Sequence, residues 1–372
     1  MFDRRLIEYF DWVLLLLTII LMISGIIVLY SAVNISVPNA ERYLYYKQMM
    51  WYAVGFMGMC LLFLINYKVL ESWAIIIYLF CIFLLICVLL FGKYAGGSKR
   101  WLIIGPVTIQ PSELVKLGVI ILLSKYYTKR LTSSGLLFKD LIIPMIIVGI
   151  PCGLIMVQPD LGTALLIIFI SGSITLFVKI ERKTFISIFL ISITVCPTAW
   201  FFLKEYQQQR ILTFLDPDRD PLGSGYHIIQ SKIAIGSGMF AGKGYLKGTQ
   251  KALSFLPEQH TDFILSVLAE EWGFIGTVYL ILIFFMIIAW GVNIAYRCRD
   301  NFGTILSFGI TIMLFWQIFI NMGMVMGLLP VVGVPLPMIS YGGSSVLTSM
   351  TGLGMLISIS MRRFGSNGSS YF

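Results

Sequence analysis

Charged residues are scarce in this sequence. They make up 12% of its 372 residues, whereas a soluble globular domain carries about 25%. Hydrophobic residues make up 58%, so the composition excludes an ordinary soluble domain. The formal net charge of +9 does not indicate nucleic-acid binding, because most basic residues flank hydrophobic runs, where such residues set membrane orientation.

Several familiar kinds of site are also missing. The six cysteines lie within hydrophobic runs or at a predicted cytoplasmic end, so we expect no structural disulfide in the outward loops. No CxxC pair is present, which excludes the usual zinc-binding spacing. The segment Gly242-Lys243-Gly244 lacks the GxxxxGK[ST] spacing of a P-loop.

Hydrophobic runs are abundant, and each is close to the roughly 20 residues that cross a bilayer. Ten runs lie near residues 11–31, 46–66, 72–91, 111–127, 139–157, 160–179, 184–203, 273–296, 304–326 and 343–360. The first is too long and begins too early for a cleaved signal peptide. The predicted fold is an all-α polytopic membrane protein with ten transmembrane helices. We expect one domain over residues 1–363 and, over residues 364–372, a flexible tail or an expression remnant.

Lysine and arginine predict the orientation by the positive-inside rule. One side would hold Arg4, Arg5, Lys68, Lys125, Lys129, Arg130, Lys139, Lys179, Arg182, Lys183, Arg297, Arg299, Arg362 and Arg363. The short loops of the other side hold only Arg42, Lys47, Lys93, Lys99 and Arg100. Both termini are therefore predicted to be cytoplasmic. The polar segment 204–262, between helices 7 and 8, becomes one long extracytoplasmic loop, and loops of that length are usually functional or disordered.

Polar residues at the start of the fourth run suggest a cavity. Glu113 and Lys116 are three residues apart, so they share one helix face, and ionisable groups at that depth usually line a cavity. The alternative is an ion pair that only ties helices together or reaches outward. Nearby Trp101 fits a substrate contact or the interfacial aromatic belt. Asp160 fits a cap of the sixth helix, a role that is compatible with a salt bridge to a nearby outward cation.

The segment Leu328–Ser345 contains three prolines and three glycines and cannot form one regular helix. Irregular backbone at membrane depth requires protein or a water-filled cavity around it, so we interpret this segment as a re-entrant lip, with Ser340, Ser344 and Ser345 as candidate lining residues.

The long loop carries Arg210, Lys243 and Glu258 as candidate substrate contacts. Asp216, Asp218 and Asp220 mimic a DxD motif, but the interleaved prolines favour a turn. A helical stripe over residues 226–235 is typical of a segment that lies on a membrane surface.

Asp262 ends this loop, close to Glu258 and His260, and lies in the first turn of a helix predicted to begin at Thr261. Thr261 and Asp262 could serve only as helix caps. Alternatively, partial desolvation at a cavity would raise the pKa of the Asp262 carboxylate and make it a better general base.

Five separated motifs resemble the SEDS family of bacterial cell-wall synthesis proteins, closer to RodA of elongation than to FtsW of division. They are GSKRWL…QPSELVK (97–116), QPDLGT (158–163), FLDPDRDPLGSGYHIIQSKIAIGSG (214–238), LPEQHTDFILSVLAEE (256–271) and PLPMISYGGSS (335–345).

The resemblance implies a peptidoglycan glycosyltransferase of the bacterial cytoplasmic membrane. Such an enzyme polymerises lipid II into glycan strands at the outer face and pairs with a class B penicillin-binding protein, a transpeptidase. The family's essential carboxylate falls on Asp262. Glu113, Lys116 and Asp160 match its central cavity, and Trp101 and Arg210 match its outward loops.

Glycosyl transfer from a lipid diphosphate needs a base for the acceptor hydroxyl and cations for the leaving group. Asp262 is the predicted base, and Arg210, Lys116 and Lys243 are the predicted phosphate contacts. A divalent cation, Mg²⁺ or Mn²⁺, is an expected aid. The alternatives are a lipid II flippase, which ten spans with intramembrane charges would suit, and a scaffold that only positions the transpeptidase.

Overall fold

The computed structural model describes residues 9–34, 43–95, 98–105, 107–131, 135–220, 223–248 and 260–362. The described part of the chain contains twelve α-helices. They are α1 (Trp12–Asn34), α2 (Tyr43–Leu64), α3 (Tyr67–Phe91), α4 (Pro111–Thr128), α5 (Ile142–Val157), α6 (Leu161–Phe177), α7 (Arg182–Ala199), α8 (Glu205–Leu215), α9 (Ser224–Ser237), α10 (Ile264–Arg297), α11 (Asn301–Val325) and α12 (Gly343–Arg362). The predicted tail 364–372 lies outside the described residues, so its flexibility stays a prediction.

Seven helical segments among the described residues are long and apolar enough to cross a membrane. They are Trp12–Val33, Tyr43–Leu64, Tyr67–Phe91, Phe138–Val157, Ile264–Arg297, Asn301–Val325 and Gly343–Arg362. Helices α4, α6 and α7 lie at three further predicted positions; α6 is apolar but shorter, at 17 residues. The helical, multi-span architecture is therefore confirmed, while the count of ten spans and the orientation stay predictions.

Helix α11 lies at the centre of the helical packing. It packs against α4, α6, α10 and α12, and α12 in turn packs along α2. Small residues permit these close approaches, as is usual between membrane helices. A Cβ on Gly354 of α12, for example, would lie 2.7 Å from the carbonyl oxygen of Met59 on α2.

A small antiparallel sheet precedes α4. Its strands are β1 (Lys93–Ala95), β2 (Ser98–Ile104) and β3 (Val107–Ile109), in the order β1-β2-β3. Trp101 on β2 lies opposite Lys93, and Leu102 lies opposite Ile109. The sheet ends just before Pro111, which lies in the first turn of α4. Proline is favoured there because its missing N–H would have no partner within the helix.

The predicted long loop contains regular structure. Helix α9 confirms the predicted helical stripe, but its Ile228, Ser231 and Ala234 are buried against the protein, and the Ser231 hydroxyl donates to the Val325 carbonyl at 2.7 Å. The aspartate-rich segment forms the predicted turn, a 3-10 helix over Pro217–Arg219.

Helix α10 is broken at Gly273, whose backbone has φ 63° and ψ −154°. Residues 239–244 fill the break. The amides of Lys243 and Gly244 donate to the carbonyls of Glu270 and Glu271, each at 3.0 Å, and the amides of Phe274 and Ile275 donate to the carbonyls of residues 239 and 240 at 3.0 and 3.2 Å. We call this arrangement the backbone clasp. It pairs groups that the break in the helix would otherwise leave unsatisfied.

Residues 326–342, between α11 and α12, have no regular helix, as predicted. Their backbone groups are paired by other parts of the protein. The Gln48 side chain donates to the Ser340 carbonyl at 3.2 Å, Tyr52 donates to the Met338 carbonyl, and the Tyr341 amide donates to the His260 carbonyl at 2.9 Å. This pairing is the condition under which irregular backbone survives at membrane depth.

Candidate functional site

Asp262 lies in the turn that leads into α10, facing the irregular segment 326–342. Helix α10 begins at Ile264 rather than at Thr261, and its N-cap residue is Phe263, with no side-chain capping bond. Asp262 is thus not the N-cap of α10. Its side chain is half-buried, and a Cβ on Gly333 would lie 3.4 Å from the Asp262 Oδ2 atom. The carboxylate therefore points toward the irregular segment.

The turn is also held from the side of α11. Asn321, which is fully buried, donates through Nδ2 to the Asp262 carbonyl at 3.0 Å and to the Val334 carbonyl at 2.7 Å. Three parts of the fold thus meet at Asp262: the start of α10, the end of α11 and the irregular segment.

Glu113 and Lys116 form the predicted pair on one face of α4. Lys116 Nζ lies 2.8 Å from Glu113 Oε2, and the residues are only 1% and 3% exposed. Burying two charges is costly unless they are paired at close range. The pair is direct, which satisfies that condition.

Helix geometry places further polar side chains at the level of this pair. A Cβ on Gly352 of α12 would lie 3.1 Å from Ile310 and 3.6 Å from Met313 of α11, and 3.8 Å from Leu117 of α4. Residues four positions away lie one turn along the same faces. One turn from this layer, on the side nearer Asp262, α4 carries Glu113, α11 carries Gln317 and α12 carries Thr348.

We call this group the buried polar cluster: Ser112, Glu113, Lys116, Gln317, Ser345, Thr348 and Ser349, all at most 5% exposed. Within the described residues, the hydroxyls of its serines and threonine and the amide of Gln317 have no hydrogen-bond partner. Buried polar atoms are normally satisfied by protein, ordered water or ligand. The cluster therefore offers hydrogen-bonding groups to water or a ligand. An apolar layer formed by Leu117, Met313 and Gly352 lies on its side away from Asp262.

Asp160 has the structural surroundings expected of a cap. Its carboxylate accepts from the Thr163 amide at 3.3 Å at the start of α6, which confirms capping. Arg100 Nη1 lies 3.7 Å from the same carboxylate, and Gln110 donates to it at 3.2 Å. Trp101, the neighbour of Arg100, is half-buried on β2. A substrate-binding role for Asp160 and Trp101 stays a prediction.

Two of the predicted phosphate contacts, Arg210 and Lys243, lie in the segment 204–262. Arg210 of α8 is partly buried and donates to the Val331 carbonyl at 3.2 Å, which ties α8 to the irregular segment. Lys243 Nζ lies 2.7 Å from Glu270 Oε1, with side chains 26% and 1% exposed respectively. Glu258 lies outside the described residues.

Asn321, Gln317 and Glu271 are not among the residues that the sequence predicts for the site. Glu271 is buried and accepts from the Ser31 hydroxyl at 2.7 Å. A sequence signal for two of them exists: Gln317 and Asn321 are amides four residues apart in an apolar helix, and intramembrane polar side chains usually bond across helices or line a site.

No group of three or more His, Cys, Asp or Glu residues that could hold a metal ion is found in the part of the chain that the structure describes. That part does not include Glu258.

Comparison with known proteins gives consistent matches over nearly the whole chain. The family model described as "Cell cycle protein", of FtsW, RodA and SpoVE, matches residues 11–364. The peptidoglycan glycosyltransferase MrdB of Escherichia coli K12 is 41% identical over 357 residues, which cover 95% of this chain and 94% of the relative. A probable peptidoglycan glycosyltransferase FtsW of Geobacter sp. strain M18 is 35% identical, with 97% and 100% covered.

Solved structures agree. A chain from a peptidoglycan synthase complex that coordinates polymerization and crosslinking superposes with a TM-score of 0.81 at 32% identity, covering 95% of this chain and 98% of that one. The rod shape determining protein RodA of Thermus thermophilus superposes with a TM-score of 0.69 at 27% identity, covering 95% of this chain and 98% of that one.

Proposed function

The chain belongs to the FtsW/RodA/SpoVE family of cell cycle proteins, and from this premise we propose that it polymerises lipid II with Asp262 as the general base. It is a multi-pass membrane protein and a peptidoglycan glycosyltransferase of the RodA type. A flippase is the less favoured reading, since the named relatives are glycosyltransferases. The proposed setting is the outer face of the bacterial cytoplasmic membrane during elongation.

One observation carries the assignment of the base. Asp262 lies where α10, α11 and the irregular segment meet, half-buried, with its carboxylate toward Gly333. In the proposed step, the acceptor hydroxyl oxygen attacks the anomeric carbon of the donor sugar. The carbon–oxygen bond to the lipid diphosphate breaks, the new glycosidic bond forms, and the hydroxyl proton passes to the Asp262 carboxylate.

The leaving diphosphate requires positive charge. Arg210 and Lys243 are the stronger candidates, because both are partly exposed and lie in the extramembrane segment. Lys116 is completely buried and paired with Glu113, so we assign this pair to the buried polar cluster rather than to phosphate binding. Trp101, Asp160 and Glu258 complete the proposed substrate contacts.

The lipid tails need an apolar surface beside the site. A groove of about 420 Å³ lies between α1 and α10 and is lined by Ile23, Ile27, Leu268, Ile275 and Tyr279, among others. It supports a substrate that stays anchored in the bilayer during the reaction.

A class B penicillin-binding protein is the proposed partner, supported by the synthase complex that contains a similar chain. A requirement for Mg²⁺ or Mn²⁺ is also proposed, since a divalent cation would assist a diphosphate leaving group. Chelation followed by restoring each metal to the polymerisation assay checks this requirement.

The test of the base is Asp262→Asn, assayed with the partner and labelled lipid II. General-base catalysis contributes about 10²- to 10⁴-fold, so we expect a loss of that size in the rate of polymer formation. Asp218→Asn is the matched control, because Asp218 is exposed in the 3-10 turn and belongs to the rejected DxD motif. Near-normal polymer from a folded Asp262→Asn protein would rule out the base; a loss in Asp218→Asn would revive the DxD alternative.

A further inference from the structure

Asn321 makes a bridge that the predicted chemistry does not use. It is 0% exposed on α11, and its Nδ2 atom donates both to the Asp262 carbonyl and to the Val334 carbonyl, at 3.0 and 2.7 Å. One side chain therefore connects the turn that carries the carboxylate to the irregular segment that faces it. A hydrogen bond in such a low-dielectric place is stronger than the same bond in water.

The N-cap residue of α10, Phe263, makes no side-chain capping bond. Further contacts join the turn to the irregular segment. They include the Tyr341 amide, which donates to the His260 carbonyl at 2.9 Å, the rings of His260 and Tyr341, whose centroids lie 6.1 Å apart, and the close approach of Gly333 to Asp262 Oδ2. Gly333 has φ 74°, a conformation that favours glycine.

From this geometry we infer that Asn321 is a positioning residue for glycosyl transfer, which fixes where the Asp262 carboxylate meets the acceptor hydroxyl. The inference rests on the proposed function, with Asp262 as the base. Asn321 acts on the backbone that carries this carboxylate and touches no reacting atom. Proximity catalysis is steeply sensitive to such placement, because an error of about 1 Å can cost about 10²-fold in rate.

The test is Asn321→Leu, which keeps the side-chain shape and removes both donated bonds. We expect the kcat per folded molecule to fall about 10- to 100-fold, with KM for lipid II changed less than about twofold. The matched control is Ser307→Ala. Ser307 is a buried polar residue of the same helix, and its hydroxyl donates to the Gly303 carbonyl of α11 itself at 2.6 Å, so this variant should keep the original kcat.

A purely structural role is separated by two readouts. Asn321→His retains a ring N–H donor. We therefore expect its log kcat to recover at least about a third of the decrease seen in Asn321→Leu. Hydrogen exchange should rise at residues 260–264 and at Tyr341 in Asn321→Leu and stay unchanged in the rest of α11. Exchange that rises throughout the protein, or a histidine variant no better than leucine, would overturn the inference.

The Asp262→Asn protein separates the two ideas. If Asp262→Asn keeps its rate, the base assignment fails whatever Asn321 does. If Asp262→Asn is inactive while folded Asn321→Leu matches the Ser307→Ala control, only the positioning role fails. Should Asn321→Leu not fold, Asn321→Ala makes the same test with a smaller side chain, because it also removes both donated bonds. A folded Asn321→Ala protein with a kcat within twofold of normal would then overturn the inference.

Discussion

Lys116 shows how one buried charge constrains its surroundings. It is among the largest fully buried side chains of the protein, and the carboxylate of Glu113 lies 2.8 Å away on the same helix face. A close pair offsets much of the desolvation cost, but the loss of either partner leaves a buried charge without compensation.

Lys116→Met should therefore destabilise the protein by about 3–5 kcal/mol, measured by denaturant unfolding in micelles. The double variant Glu113→Leu with Lys116→Met removes both charges and should be more stable than Lys116→Met alone. A single variant as stable as the original protein would contradict this account of the pair.

At this scale the sequence predicts local pairs well and distant partners poorly. The spacing of Glu113 and Lys116 predicts a shared face, and the position of Asp160 predicts a cap; both are confirmed. The bond between Ser31 and Glu271 joins residues 240 positions apart. Helix periodicity carries no information about such contacts, because they depend on which helices become neighbours.

Among the elements, the backbone clasp has the strictest geometry. Gly242 has φ 78°, and a Cβ there would collide with the Glu271 carbonyl oxygen. The segment can enter the break in α10 only because glycine allows both the conformation and the close approach.

Gly242→Ala should cost about 2 kcal/mol or more of stability, because it adds left-handed strain of about 1–2 kcal/mol to a backbone collision. Protease sensitivity of residues 239–248 and thermal unfolding measure the effect. Gly236→Ala on α9 is the control. A Cβ there meets no atom within 4 Å, so the free energy of unfolding of this variant should differ from that of the original protein by less than about 1 kcal/mol. Equal stability of Gly242→Ala and Gly236→Ala would contradict the structural role given to the backbone clasp.

Element positions follow from hydropathy more readily than element details. The predicted eighth span starts at residue 273, where the structure places the break in α10. The three short strands before α4 are not predicted, because three to seven residues give too little alternation to distinguish a strand from a loop. The backbone groups at the break are hydrogen-bonded by residues about 30 positions earlier in the chain. A local sequence pattern cannot predict contacts over that separation.

At the scale of the whole molecule, orientation is the main prediction still to be tested. Met239 and Tyr296 are 80% and 89% exposed and lie on opposite sides of the membrane in the predicted topology. In a background without native cysteines, Met239→Cys should react with an impermeant maleimide on intact spheroplasts. Tyr296→Cys should react only after permeabilisation. The reverse pattern would show that the positive-inside prediction is wrong.

The clasp also matters for anyone who engineers this protein. Residues 239–244 look like a glycine-rich surface loop, the usual choice for an epitope tag or a fluorescent-protein fusion. Their backbone supplies the hydrogen bonds of a broken helix, so an insertion there interrupts α10 itself. Tolerance to insertion follows backbone pairing and burial rather than apparent looseness. The exposed turn at Pro217–Arg219 is the safer place for a reporter.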